Sequence, residues 1–107
     1  MEARKPFYVD LNDSQEYQRL MQAPQTLGMK AGRVFLGPGD ECGSHSTEAR
    51  EELLVFLNGR GQAVFGGKDR LLVGKGKVLY IPPHTQHNIV NTGSDPLVYV
   101  YCVAPVK

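Results

Sequence analysis

The sequence predicts an all-β protein, built as a β-sandwich or a closed β-barrel. From Thr26 onward, short apolar segments follow one another closely and are separated by Gly, Pro, Asn and Asp. About eight or nine strands fit this pattern, which is typical of sandwiches and barrels. The 107 residues have room for one hydrophobic core, so we expect a single domain covering residues 1–107.

Each predicted strand is a run of alternating or β-branched residues that stops at a turn residue. The dipeptide Asn58-Gly59 lies between two such runs and predicts a β-hairpin. The predicted strands span residues 6–10, 29–36, 51–57, 61–65, 70–73, 77–81, 87–91 and 97–103.

One short helix is predicted near the N-terminus, over residues 13–22. Polar residues at positions 12–14 are candidate N-caps, and Tyr17, Leu20 and Met21 repeat at the i, i+3, i+4 spacing of a helix face. So short a helix is marginal alone, and we expect its apolar stripe to pack on the outside of a sheet.

Composition narrows the range of partners. The net charge is +1 with the charges scattered, which argues against nucleic acid or an anionic membrane as a partner. No apolar run approaches the roughly 20 residues of a membrane span. The first ten residues lack the apolar stretch of a signal peptide, which predicts a cytoplasmic protein with Cys42 and Cys102 reduced.

A candidate metal ligand lies in the stretch from Gly39 to Gly59. Side chains alternate between the faces of a strand, so Glu52 points the same way as Leu54 and Phe56. A carboxylate on an apolar face is costly unless it is protonated, paired or bound to a cation. His45, upstream of the strand, is the obvious second ligand for such a cation.

A second stretch, residues 76–91, supplies another histidine. A strand enters a two-proline turn and leaves through His87, with Ile89 and Asn91 on the same face. Two strands that deliver His or Glu to a common interior could build a small metal site.

These residues resemble the two motifs of the cupin family. Gly39, His45, Glu52 and Gly59 match the first motif, residues 39–59, and the second motif, residues 76–91, is matched by Gly76, Pro82, His87 and Asn91. The resemblance implies a cupin-type double-stranded β-helix, the jelly-roll barrel of RmlC-like proteins, with a metal inside it.

The expected cofactor is one divalent transition metal held by His45, Glu52 and His87. Two imidazoles and a carboxylate suit Fe, Mn, Ni, Co or Zn, and leave open positions for water or substrate. Thr47 stands where the family has a second histidine, and a hydroxyl is a poor ligand. Two interpretations follow: a retained metal site with three ligands, or a barrel that has lost its metal and keeps a binding pocket.

Four residues are candidates for the rim or for contacts behind the ligands. His84, in place of a family glycine, is interpreted as an exposed turn residue, and Asn91 as a structural hydrogen-bonding residue. The other two candidates are Thr47 and Tyr80. The charged residues Glu48, Arg50 and Glu51 are interpreted as a solvated loop beside the site and Cys42 as structural. No catalytic residue is assigned.

Three classes of function remain open. The first is an enzyme, an oxygenase, isomerase or lyase, acting on a small polar metabolite. The second is a non-catalytic module that binds or senses a sugar or an acid, and the third is a metal-free barrel that acts by association. A homodimer is expected, with Tyr99 and Tyr101 covering an edge strand at 97–103.

Overall fold

Nine strands in two sheets form the regular structure of residues 4–66 and 68–107, which the computed structural model describes. The strands are β1 (Gln18–Met21), β2 (Lys30–Leu36), β3 (His45–Ser46), β4 (Arg50–Asn58), β5 (Arg60–Phe65), β6 (Asp69–Gly74), β7 (Val78–Ile81), β8 (Gln86–Val90) and β9 (Leu97–Pro105). One sheet has the order β1-β2-β9-β4-β7 and the other β3-β8-β5-β6, with antiparallel neighbours throughout. The predicted all-β jelly roll is confirmed.

The core lies between the two sheets, and the alternation of β4 shows how the sequence builds it. Leu54 and Phe56 are each 1% exposed, whereas Leu53 and Val55 face outward at 43% and 36%. Glu52 keeps the same phase and is buried with the inward set. The predicted orientation of this strand is therefore confirmed. The main cluster consists of Leu36, Leu54, Phe56, Ala63, Val73, Leu79, Ile81, Ile89, Leu97 and Tyr99.

The final strand, β9, runs through the middle of the five-stranded sheet. It pairs with β2 on one side and with β4 on the other. Tyr99 is 3% exposed and packs against Phe56 in the core, with ring centroids 5.1 Å apart. The expectation that residues 97–103 form an edge strand available to a second subunit is therefore wrong.

The predicted N-terminal helix at 13–22 is also wrong, because this segment ends in the edge strand β1, paired with β2. The candidate caps close local turns instead: Ser14 N donates to Asn12 Oδ1 and Glu16 N to Ser14 Oγ. A helix this short is marginal, whereas the free edge of β2 offers a ladder of hydrogen bonds. Residues 6–10, predicted as a strand, have no regular structure. In the described part of the chain, no helix is long and apolar enough to cross a membrane.

The predicted hairpin at Asn58-Gly59 is a corner between the sheets. β4 pairs with β9 and β7, whereas β5 pairs with β6 and β8, so the two strands are not partners. Gly59 has a φ of 80°, and a Cβ there would collide with the carbonyl of Pro96. Only glycine fits this position, because it combines a left-handed backbone with a close backbone approach.

Candidate metal centre

The three predicted ligands meet between the sheets. His45 in β3 pairs in register with His87 in β8, and their ring centroids are 4.3 Å apart. Glu52 enters from β4, on the facing sheet. One donor atom from each residue lies within 4.8 Å of the other two. The structure thus brings together two imidazoles and a carboxylate at one point.

Backbone carbonyls hold both imidazoles in the orientation a metal ligand needs. Nδ1 of His45 lies 3.0 Å from the Gly43 carbonyl oxygen, and Nδ1 of His87 lies 3.0 Å from that of Thr85. A carbonyl can only accept, so each Nδ1 carries the proton and each Nε2 offers its lone pair when the ring is neutral. This arrangement is usual behind metal-bound histidines, and the donor set fits a divalent transition metal.

The same residues form a buried pair without a cation. His87 Nε2 lies 3.3 Å from Glu52 Oε1, and the two residues are 2% and 8% exposed. Burial lowers the pKa of His87, but the hydrogen bond to Glu52, the hydrogen bond to the Thr85 carbonyl and the Glu52 charge together outweigh it, so the pKa lies above its ordinary value. Glu52 therefore has a protein partner, which keeps the metal-free alternative physically possible.

Thr47 fastens the proline turn to the loop that follows His45. Its hydroxyl donates to the Pro82 carbonyl at 2.7 Å and accepts from Thr85 N at 3.0 Å. Thr85 O in turn accepts from Thr47 N, and Glu48 O from His84 N, at 3.2 and 2.8 Å. Thr47 is buried beside the cavity, and its hydroxyl makes its two hydrogen bonds to the proline turn.

His84 and Tyr80 do not face the centre. His84 is exposed at a φ of 54° on the turn, as interpreted from sequence. Tyr80 is 56% exposed on the outer face of β7, between the inward Leu79 and Ile81, and its hydroxyl donates to Glu51 Oε1. The interpretation of Tyr80 as a rim residue is therefore wrong.

Asn91 closes the end of β8 from a fully buried position. Its Nδ2 donates to the carbonyls of Leu36 and Asp95, and its Oδ1 accepts from Gly93 N, all at 2.9 Å. This bonding matches the structural role interpreted for it. Asn91 supports the strand end and does not line the cavity.

The two cysteines are both free. The Cys42 thiol lines the cavity, accepts a hydrogen bond from Ile89 N at 3.3 Å, and has its pKa raised by burial. Burial also raises the pKa of Cys102. A raised pKa keeps a thiol protonated and unreactive, which agrees with a structural role for Cys42.

An open cavity of about 320 Å³ surrounds the three ligands. Tyr99 and Tyr101 line its wall, and burial raises the pKa of both phenols, so they stay neutral hydrogen-bonding groups. The Tyr101 hydroxyl lies 2.6 Å from that of Tyr17. The cavity can therefore admit a small molecule to the ligand cluster.

Two cations at the cavity were missed from the sequence. Lys30 begins β2 and Arg50 begins β4, and both line the cavity. Arg50 is exposed beside the site, as interpreted from the sequence, but it lies in β4 and not in a loop. Strand alternation could have placed it, because Arg50 is two residues before the inward Glu52.

The fold and this ligand set together define a class of protein. The sequence profile of the cupin domain matches residues 32–103, about two thirds of the chain. The chain belongs to the cupin family.

Particular relatives match only part of the chain. An uncharacterized protein of Methanocaldococcus jannaschii is 38% identical over 61 residues, 57% of this chain and 48% of that protein. A glucose-6-phosphate isomerase of Pyrococcus abyssi is 35% identical over 60 residues, 52% of this chain and 32% of the isomerase. The chain thus spans about half of one relative and a third of the other.

A solved structure matches along nearly the whole chain. The cupin 2 conserved barrel protein of Salinispora arenicola has a TM-score of 0.73 at 25% identity, covering 99% of this chain and 90% of that one. The similarity extends the cupin architecture beyond the segment matched by the family profile.

Proposed function

We propose that this cupin binds one divalent transition metal through His45, Glu52 and His87, and acts on a small polar metabolite in the barrel. The observation that carries the proposal is that one donor atom from each of His45, Glu52 and His87 lies within 4.8 Å of the others, with each Nδ1 hydrogen-bonded to a carbonyl. A structural role for these residues in the core would not require two imidazoles held in the same tautomer.

The chemistry follows from the residues around this point. A bound metal would supply Lewis-acid polarisation of a substrate oxygen. Glu52 balances the cation's charge, and the paired strands β3 and β8 fix the angle between the rings. The apolar side chains Leu54 and Ile89 line the inner wall and restrict water around the bound oxygen.

The reaction class is proposed as isomerase, lyase or oxygenase, with cytoplasmic location. The similarity to a glucose-6-phosphate isomerase supports the first of these, because isomerisation of a hydroxy-carbonyl compound needs its oxygens polarised. The test is turnover in a panel of hydroxy acids and phosphorylated and free sugars, with metal-loaded and metal-stripped protein side by side. Metal-dependent turnover supports the enzyme; tight binding without turnover identifies a binding module instead.

A second candidate is a metal-free barrel that keeps the same pocket. The contact of 3.3 Å between His87 and Glu52 favours it, since a protonated His87 donates Nε2–H to the carboxylate without an ion. Ligand binding that is equal before and after metal removal would identify this function.

A further inference from the structure

Two cationic side chains at the mouth of the cavity indicate which class of small molecule the cavity binds. Of the residues that line the cavity, Lys30 and Arg50 are cationic and Glu52 is the one carboxylate. Glu52 has its partner in His87 at 3.3 Å, and within the described residues neither cation forms an ion pair. The cavity therefore has an excess of positive charge even before a metal is bound.

The strand register places both cations on the cavity side. Lys30 in β2 and Glu52 in β4 both lie opposite Val103 of β9, so the three side chains form one row on one face of the sheet. Arg50 is two residues from Glu52 and shares that face by alternation. At about 4.8 Å per strand, the Cα atoms of Lys30 and Glu52 are roughly 10 Å apart.

The cavity size limits the guest. A volume of about 320 Å³ equals that of about ten water molecules. A small metabolite of that size could span from the ligand cluster to the mouth.

We infer that the cavity recognises a small organic anion, whose carboxylate or phosphate binds Lys30 and Arg50 while an oxygen at its other end reaches the centre of His45, Glu52 and His87. This inference rests on the proposed function for the inner end only. Arginine binds both oxyanions through paired N–H donors, and lysine adds a point charge. A neutral guest can accept hydrogen bonds from the two cations but lacks the negative charge that strengthens them, so it is disfavoured.

The experiment compares charged and neutral guests by calorimetry on Mn²⁺-loaded protein. The pairs are malate against malamide, and glycerol 3-phosphate against glycerol. We expect at least one anion to bind tenfold or more tightly than its neutral partner, and the tighter anion identifies the head group. Lys30→Gln and Arg50→Gln should each weaken anion binding by about tenfold or more, the effect of one charge-assisted hydrogen bond.

The control is Lys77→Gln, which removes the same charge from an exposed lysine that does not line the cavity. It should leave anion binding unchanged, and all three variants should keep their metal content. Equal binding of charged and neutral guests, or anion binding unaltered in both cavity variants, overturns the inference. Protein that takes up none of Mn, Fe, Co, Ni or Zn contradicts the proposed function instead, and the same comparison on metal-free protein still decides the anion site.

Discussion

At the residue scale, the two ligand histidines differ sharply from the third. His45 and His87 each give an Nδ1 proton to a carbonyl two residues earlier, at 3.0 Å. His84 lies on the proline turn outside the cluster; it is exposed, as His45 is, whereas His87 is buried. The three histidines of the chain thus provide a matched test within one protein.

Replacing His87 by Ala is expected to abolish metal binding, because two remaining ligands hold an ion poorly against water. Glu52→Gln keeps the shape but removes the balancing charge, so affinity should fall sharply. His84→Ala should leave metal content unchanged and serves as the control. Metal analysis after dialysis measures all three; equal metal content in His87→Ala and wild type would contradict the assignment.

Metal affinity is expected to depend on pH through His87. Its raised pKa means that a proton occupies the ring over a wider acidic range, and a metal must displace it. Affinity should therefore fall below that pKa, by roughly tenfold per pH unit for each proton displaced. The metal-free fold shows the opposite trend: the stability from the His87–Glu52 pair is present below about pH 6.5 and lost as pH rises through the folded pKa.

Metal titrations and thermal melts between pH 5 and 9 measure both trends. For the metal-free melts Glu52→Gln serves as the control, because it removes the carboxylate that helps to raise the pKa of His87. Metal affinity that does not change across this range would contradict a role for His87 as a ligand.

Sequence reasoning worked well for single residues wherever strand alternation applied. It placed Glu52 inward on the strength of two apolar neighbours. The same rule, applied to Tyr80 between Leu79 and Ile81, would have placed that tyrosine outside. Lys30 was not predicted at the cavity, because its position relative to Glu52 is set by the pairing of both strands with β9. The register between strands cannot be read from one segment of sequence.

At the element scale, the centre depends on a very short strand. β3 has two residues, His45 and Ser46, and the hydrogen bonds between Thr47 and the proline turn hold it against β8. Thr47, in place of the family's second histidine, thus has a structural use in this chain.

Thr47→Val is expected to destabilise the fold by about 1–3 kcal/mol, since it keeps the shape but leaves the Pro82 carbonyl and Thr85 N–H without their hydroxyl partner. Thr47→Ser keeps the hydroxyl and is the control. Chemical denaturation of the two variants and wild type in metal-free buffer measures the difference. A Val variant as stable as the Ser variant would show that these bonds contribute nothing.

The two elements that were predicted wrongly share a cause. The helix at 13–22 and the hairpin at Asn58-Gly59 were inferred from local signals, and tertiary pairing overrode both. Residues of the predicted helix pair with the edge of β2 as strand β1. Gly59 packs against the backbone of Pro96, where the chain passes from one sheet to the other. The predicted strands from 29 to 103 are all present because their alternation agrees with the final packing.

At the scale of the whole molecule, one sheet face remains apolar and exposed. The outer sides of β4 and β7 present residues that are 36% to 63% exposed: Leu53, Val55, Leu57, Val78 and Tyr80. Val55 lies opposite Val78, and Leu53 opposite Tyr80, so the patch is continuous. Large apolar patches of this kind often mark protein contacts.

We therefore still predict a homodimer, with the outer face of β4 and β7, and not strand β9, as the interface between the subunits. Light scattering at micromolar concentration should give twice the chain mass, and Val55→Lys should shift it to the monomer. Leu72→Lys, at a residue 74% exposed on the other sheet, is the control and should stay dimeric. A monomeric wild type would contradict the prediction.

The central claim, a metal held by His45, Glu52 and His87, is tested most directly by chelation of untagged protein purified without chelator. We expect about one divalent transition metal per chain and a lower melting temperature after chelation. A metal at a hundredfold excess over its Kd stabilises the fold by about 2.7 kcal/mol, and His87→Ala should not respond to the chelator. Protein that carries no metal, takes up none of Mn, Fe, Co, Ni or Zn, and melts identically with and without chelator would contradict the claim.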